Sequence, residues 1–248
     1  MIFRQLFDAE SSTYTYLVGC KRAGVAAIVD PVREQIDRDL TLAAELGLTL
    51  THALETHVHA DHVTAAGEIR RRTGARTLVT REDGPPCADE GLVEGDLVRV
   101  GEVTLRALAT PGHTAGCLSY VVGGAGGGGV EDRVLTGDAL LVRGCGRTDF
   151  QGGDASKLWA SVTAKLFALG DATLVFPAHD YRGMTVTTIG EERRWNPRLG
   201  GAATRESFVA LMASLHLPRP KKIDEAVPAN RACGDDPATR APRPPVQG

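Results

Sequence analysis

Between His57 and His62 the chain reads H-V-H-A-D-H, placing three histidines and a carboxylate within six positions, directly after Thr56. Imidazole nitrogens and carboxylate oxygens are ligands for zinc, iron and related cations, and several can converge on one ion where a strand turns into a helix. Three more stations of the same kind follow. His113 emerges in T-P-G-H-T, Asp138 closes T-G-D, and His179 leads His179-Asp180-Tyr181 after Pro177-Ala178. Five of the seven histidines lie at such turns, and His52 and His216 read as structural or surface residues. The chemistry on offer is that of a metal centre assembled from four separate stretches.

The surrounding elements must bring these stretches together. Ile2 to Phe7, Thr13 to Gly19 and Gly24 to Val29 are rich in β-branched and aromatic residues, which predicts an opening antiparallel meander ended by Asp30-Pro31. Ile36, Leu40, Ala43 and Leu46 recur at helical spacing before Gly47, a favourable residue just past a helix end. A strand over Thr51 to Glu55 then delivers the histidine run, a helix from His62 to Gly74 follows it, and Arg76 to Thr80 is a strand. Each later station also ends a strand: Val98 to Ala109 as a pair around Gly101, Arg133 to Thr136, and Thr173 to Phe176. Asp154 is placed to cap a helix carrying Leu158, Val162, Leu166 and Leu169 on one face. Strand and helix alternate, an α/β pattern, and open α/β sheets place their sites at the carboxyl ends of strands. Phe208, Leu211, Met212 and Leu215 form a late helical stripe, read as core or as a dimer surface.

Composition narrows the partners. With 248 residues the chain can bury a sizeable core, and a net charge of −3 from 28 basic and 31 acidic residues offers no basic stripe for nucleic acid or anionic lipid. No apolar run is long enough to span a membrane, so neither export nor insertion is expected. The five cysteines are odd in number and contain no C-x-x-C pair, which argues for reduced thiols, no disulfide framework and a cytoplasmic location. The glycine-rich tract 123–129 lacks a following G-K-[ST] and a helix, so it reads as a surface hairpin insertion and not a phosphate loop.

The order and spacing of H-x-H-x-D-H, T-P-G-H-T, T-G-D and P-A-H-D resemble the metallo-β-lactamase superfamily over about residues 1–200. That resemblance implies an αββα sandwich of α/β (α+β) class, two mixed β-sheets face to face with helices outside and the site along one edge. Fold alone leaves the chemistry open. The stretch from Asp138 through Gly144-Cys145-Gly146-Arg147-Thr148-Asp149-Phe150-Gln151, His179-Asp180-Tyr181-Arg182-Gly183, Asn196-Pro197-Arg198-Leu199 and the run Leu217 to Asn230 is similar to the persulfide dioxygenases. The match then spans 1–234 as one domain, and 235–248 is expected to be a disordered tail.

The family resemblance implies one Fe(II) per chain, held by His57, His113 and Asp138. Three ligands on one face leave room for a sulfur substrate and dioxygen side by side. The implied reaction converts glutathione persulfide, O2 and water into sulfite and glutathione. His59, Asp61, His62 and His179, with Asp180 and Tyr181, would orient ligands and water around the iron. In zinc hydrolases of the superfamily the equivalent stations complete a two-metal site, which leaves a binuclear zinc thioester hydrolase of the glyoxalase II type as the alternative. Arg198 suits a glutathione carboxylate. Tyr181 either hydrogen-bonds substrate or packs beside the site, and Arg147 either contacts substrate or braces the loop. Cys145 reads as a small buried residue near the site, and a homodimer is compatible with the late helical stripe.

Overall fold

The computed structural model describes residues 1–124 and 132–235. The glycine-rich tract beyond residue 124, read above as an insertion, and residues 236–248 of the expected disordered tail lie outside the described residues, whereas Asp235, the first residue of that tail, is buried and ion-paired with Arg70 and Arg71.

Two six-stranded sheets stack face to face. The first runs β1 (Ile2–Asp8), β2 (Thr13–Cys20), β3 (Val25–Val29), β4 (Thr49–Leu54), β5 (Arg76–Thr80) and β6 (Glu90–Leu92) in sequence order. β1 to β3 are antiparallel as predicted, and β3 to β6 are parallel. Parallel neighbours require crossovers. α1 (Ile36–Glu45) and α2 (Ala66–Thr73) supply two of them. The second sheet holds β7 (Leu97–Val100), β8 (Val103–Ala109), β9 (Leu118–Gly124), β10 (Arg133–Gly137), β11 (Leu174–Pro177) and β12 (Thr187–Thr188), in spatial order β12-β11-β10-β9-β8-β7. Only β10 and β11 are parallel there, and their crossover contains α3 (Ala155–Ala160) and a π turn over Ser161–Leu166. α4 (Ile189–Trp195), α5 (Arg205–Ala213) and α6 (Ile223–Asn230) complete the helices.

The side-chain period of two explains the layering. On β2, Tyr14, Tyr16, Val18 and Cys20 join Leu105, Leu118, Tyr120 and Leu135 in the core between the sheets. Leu17 points the other way, into a cluster with Ala43 and Ile69 beneath α1 and α2. On the far side Leu158, Val162 and Leu166 pack with Phe208 and Met212 against the second sheet. Helix, sheet, sheet, helix is the expected αββα sandwich. Phe208 and Met212 resolve the late stripe as core, while Leu211 stays exposed.

Two expectations change. The helix after the histidine run begins at Ala66 rather than His62, because Thr64 pairs with Val32 in an isolated bridge and its Oγ1 accepts the Ala66 amide at 3.0 Å. The thiols are not all reduced: Cys87 and Cys233 form a disulfide. They stand 146 residues apart in sequence, and only the fold brings the loop after β5 beside the end of α6, with Cα atoms 5.9 Å apart. Cys20, Cys117 and Cys145 are buried free thiols, as predicted.

Candidate metal centre

The four stations meet at one edge of the sandwich, where β4, β8, β10 and β11 end. Backbone bonds sew the two sheets together there: Leu118 N donates to Thr56 O at 2.8 Å and Tyr14 N to Ala178 O at 2.7 Å. The stations form two groups of potential ligand atoms, and His59 also belongs to a third with Asp30 and Glu55. His57, His113 and Asp138 form one, and His59, Asp61, His62 and His179 the other, with the donor atoms of each group within 4.8 Å of one another.

In the first group every candidate ligand is fixed from behind. His113 Nδ1 donates to Arg147 O at 2.7 Å, which leaves the Nε2 lone pair facing Asp138 Oδ2, 3.5 Å away. His57 Nδ1 lies 2.9 Å from Thr56 Oγ1, and that hydroxyl donates to Asp30 Oδ2 at 2.9 Å. The tautomer follows from this relay: the hydroxyl hydrogen is committed to Asp30, so His57 donates through Nδ1 and keeps Nε2 free. Asp138 Oδ1 accepts from His179 Nδ1 at 2.6 Å, leaving Oδ2 available. Burial, followed by the neighbouring His59 and His113, holds the His57 pKa well below the usual imidazole value, so this ring is neutral. Burial would raise Asp138, but His179, His113 and His57 hold it well below the carboxylate range. A neutral imidazole and an ionised carboxylate are the protonation states a cation requires.

The second group is tied largely to itself. Asp61 Oδ2 accepts from His62 Nδ1 at 2.8 Å, His179 Nε2 at 2.9 Å and Thr13 Oγ1 at 3.0 Å. Burial lowers His62. His179 lies between two carboxylates, and Asp138 and Asp61 raise it well above the usual imidazole value against the cost of burial. His59 is likewise opposed by burial, yet Asp30, with an oxygen 3.1 Å from Nε2, pushes it up to about 10. That contact has ion-pair distance without hydrogen-bond direction: both His59 nitrogens, and His62 Nε2, are buried without a hydrogen-bond partner among the described residues. Orphaned buried nitrogens beside carboxylates are uncommon unless a ligand is meant to meet them, so the residues present fit a bound cation.

The supporting residues fall into place unevenly. Asp180 Oδ2 accepts the Arg182 and Met184 amides at 2.7 Å each, so it shapes the turn that displays Tyr181 instead of reaching the ligand atoms. Tyr181 is 72% exposed and its ring stacks on His179 at 6.2 Å. The Arg147 guanidinium binds Asp149 and the Leu217 and Pro218 carbonyls and covers Phe150, so the residue serves His113 through its backbone oxygen. Arg198 Nη1 donates to Cys145 O at 3.1 Å, and burial pushes the Cys145 thiol up. Gly146 is required where it stands: a Cβ there would lie 2.5 Å from Asp138 O and 2.7 Å from His113 Nδ1.

Sequence reasoning missed Asp30, Thr56 and Glu55, which back the histidines from the first sheet. Asp30 is a carboxylate at a strand end, the same signature that singled out Asp138, and it holds a left-handed φ of 51° to turn inward. Nothing local marks Thr13 or Asn230.

Comparison with known proteins agrees with this geometry. The metallo-beta-lactamase superfamily model matches residues 9–179. Mouse "Persulfide dioxygenase ETHE1, mitochondrial" is 46% identical over 235 residues, covering 94% of this chain and 89% of that protein. The chain belongs to the ETHE1 family of the metallo-β-lactamase superfamily. The crystal structure of ETHE1 from Myxococcus xanthus shares 57% identity with this ETHE1 family member at a TM-score of 0.90, over 95% of this chain and all of the other. Hydroxyacylglutathione hydrolase of Rhodospirillum rubrum is further off, at 38% identity over 71% of this chain and 66% of its own length. The cytoplasmic location expected above is corrected: the mouse, bovine and human relatives are each named as mitochondrial. The premise fails as well, since the thiols were read as wholly reduced and two of them are joined.

Proposed function

We propose that this ETHE1 family member is a persulfide dioxygenase that takes glutathione persulfide, O2 and water to sulfite and glutathione with release of two protons. One Fe(II) would be held by His57, His113 and Asp138. The observation that carries this reading is the wiring of that group: each ligand is fixed at its back atom, while the His113 and Asp138 side chains keep 12% and 11% of their surface exposed toward the edge. The relatives named persulfide dioxygenase support the same reading.

When bound, the iron supplies open positions for sulfur and dioxygen and a path for electrons between them. The protein's own residues do the rest. Thr56 and the Arg147 carbonyl hold the two imidazoles in the ligating tautomer. His179 fixes the Asp138 carboxylate and, with Asp61, keeps compensating charge beside it. Tyr181 stands exposed over His179 as a hydrogen-bond donor for the persulfide. Arg198, whose guanidinium hydrogen-bonds only to Cys145 among the described residues, is offered to a substrate carboxylate.

A binuclear zinc thioester hydrolase draws on one specific observation, the orphaned nitrogens of His59 and His62 in the second group. Protein purified without oxygen separates the readings. One iron per chain, with oxygen uptake and sulfite formation on glutathione persulfide, is the expected result. Two zinc ions per chain, with thioester cleavage and no oxygen uptake, would replace it with the hydrolase.

A further inference from the structure

The loop that carries His57, His59 and His62 is clamped from the far end of the chain. Asn230, the last residue of α6, is buried, and its amide meets that loop at three points. Nδ2 donates to His59 O and His62 O, both at 2.9 Å, and Oδ1 accepts Thr64 N at 2.8 Å. A small cavity lies against the loop, with Glu55, His57, Val58, His59, Thr64 and Asn230 among its lining residues. Three residues past Asn230, Cys233 is tied to Cys87 by the disulfide, and Gly67 N donates to Cys233 O at 2.9 Å. Arg231 adds an ion pair to Asp83 at 3.1 Å, on the same loop as Cys87. Asn230, Arg231 and Cys233 lie beyond residue 179, where the superfamily match ends, and their partners lie within it.

We propose that Asn230 is a positioning residue for the metal-ligand loop, and that the Cys87–Cys233 disulfide holds it there, so that metal retention depends on a covalent tie remote from the ligands. Two carbonyls and one amide fixed by a single planar amide set the backbone of His59, His62 and Thr64 relative to one another. That in turn fixes where the His57 imidazole meets Asp138 and His113. Outer contacts of this kind affect metal affinity by about 10- to 100-fold. The inference rests on the reading of His57, His113 and Asp138 as metal ligands.

The test uses cobalt(II) as the probe, with affinity read by competition against a chelator and geometry by visible absorption. Asn230→Ala should weaken cobalt binding about 10- to 100-fold and shift the absorption bands. Asn230→Asp should weaken it too, since it keeps an acceptor for Thr64 N but loses both donors. Cys87→Ser/Cys233→Ser should weaken it in the same direction by less, and combining it with Asn230→Ala should add little, as expected when both act through one contact. Wild-type affinity and spectrum in the Asn230 variants, with only a lower Tm, would reduce Asn230 to a structural residue and overturn the proposal. Should Asn230→Ala fail to fold, wild-type affinity in the disulfide variant overturns it equally. A wild-type protein that takes up no cobalt or iron would sink the metal reading itself, and this inference with it.

Discussion

The two ligand groups at the sheet edge are made of the same side chains and differ in what stands behind them. His57, His113 and Asp138 are each held from outside the group, by Thr56, Arg147 O and His179, with their ligating atoms pointing together. His62 and His179 instead spend nitrogens on Asp61, a member of their own group. A cation entering the first group meets a free atom on each of its three residues, whereas in the second both His179 nitrogens are already spent, on Asp138 and Asp61, and only Asp61 Oδ1, His62 Nε2 and the His59 nitrogens are left. Residue type alone therefore does not define a metal site, and the hydrogen bonds one layer out are what distinguishes the two groups.

The largest effect that would test this contrast comes from the first group. His113→Ala and Asp138→Ala are expected to lose bound metal and persulfide-dependent oxygen uptake together, measured as metal content and uptake on the same preparation. Retention of both in either variant would break the ligand assignment. His62→Ala should differ in kind. It should keep one metal per chain while turnover falls by about 10- to 100-fold, the usual cost of removing an outer partner. If its metal content halves from two to one, the groups are equals and the hydrolase reading gains.

pH dependence supplies the next contrast. His59 has a folded pKa of about 10, above its unfolded value of 6.5, so its contribution to stability is full below about pH 6.5 and is lost as pH rises toward 10. Glu55, raised by burial to about 8 from 4.5, loses its contribution between those values. Tm of the metal-free protein should therefore fall from pH 6.5 to 10. With metal in the first group alone the fall persists, moved to lower pH by the added positive charge. With a second metal on His59 the ring is already deprotonated and its part of the fall disappears.

Much of this was legible in sequence, for a physical reason. His57 to His62, His113, Asp138 and His179 each sit where a short periodic strand stops, and strand ends are local features that composition reveals. The β-branched and aromatic content of β1 to β3 and the helical spacing of Ile36, Leu40, Ala43 and Leu46 likewise predicted the antiparallel meander and the helix packed on it. What escaped notice depends on contacts between distant segments. Asn230 reaches Thr64 across 166 residues and Cys87 reaches Cys233 across 146, and no window of sequence contains both ends. Counting cysteines suggested free thiols because it could not see that proximity. The start of α2 was misplaced for a related reason: Val63, Ala66 and Ile69 have helical spacing, but the bridge from Thr64 to Val32 takes the backbone elsewhere.

The smallest expected effect lies at the rim, where Tyr181 stacks on His179 of the second group. Tyr181→Phe keeps the ring, and hence the stack, and removes only the hydroxyl. If the second group is a support and Tyr181 a substrate contact, metal content and kcat should hold while KM for glutathione persulfide rises roughly 2- to 10-fold, the worth of one hydrogen bond. A fall in kcat at unchanged KM would instead place the hydroxyl on a group that changes charge during the reaction, and the second group would then be part of the chemistry. The hydroxyl is accessible enough for either role, since the side chain is mostly exposed and its ring is held nearly parallel to an imidazole that lies between two carboxylates. The division between KM and kcat in this one variant therefore measures how far the boundary between ligand and support extends toward the substrate.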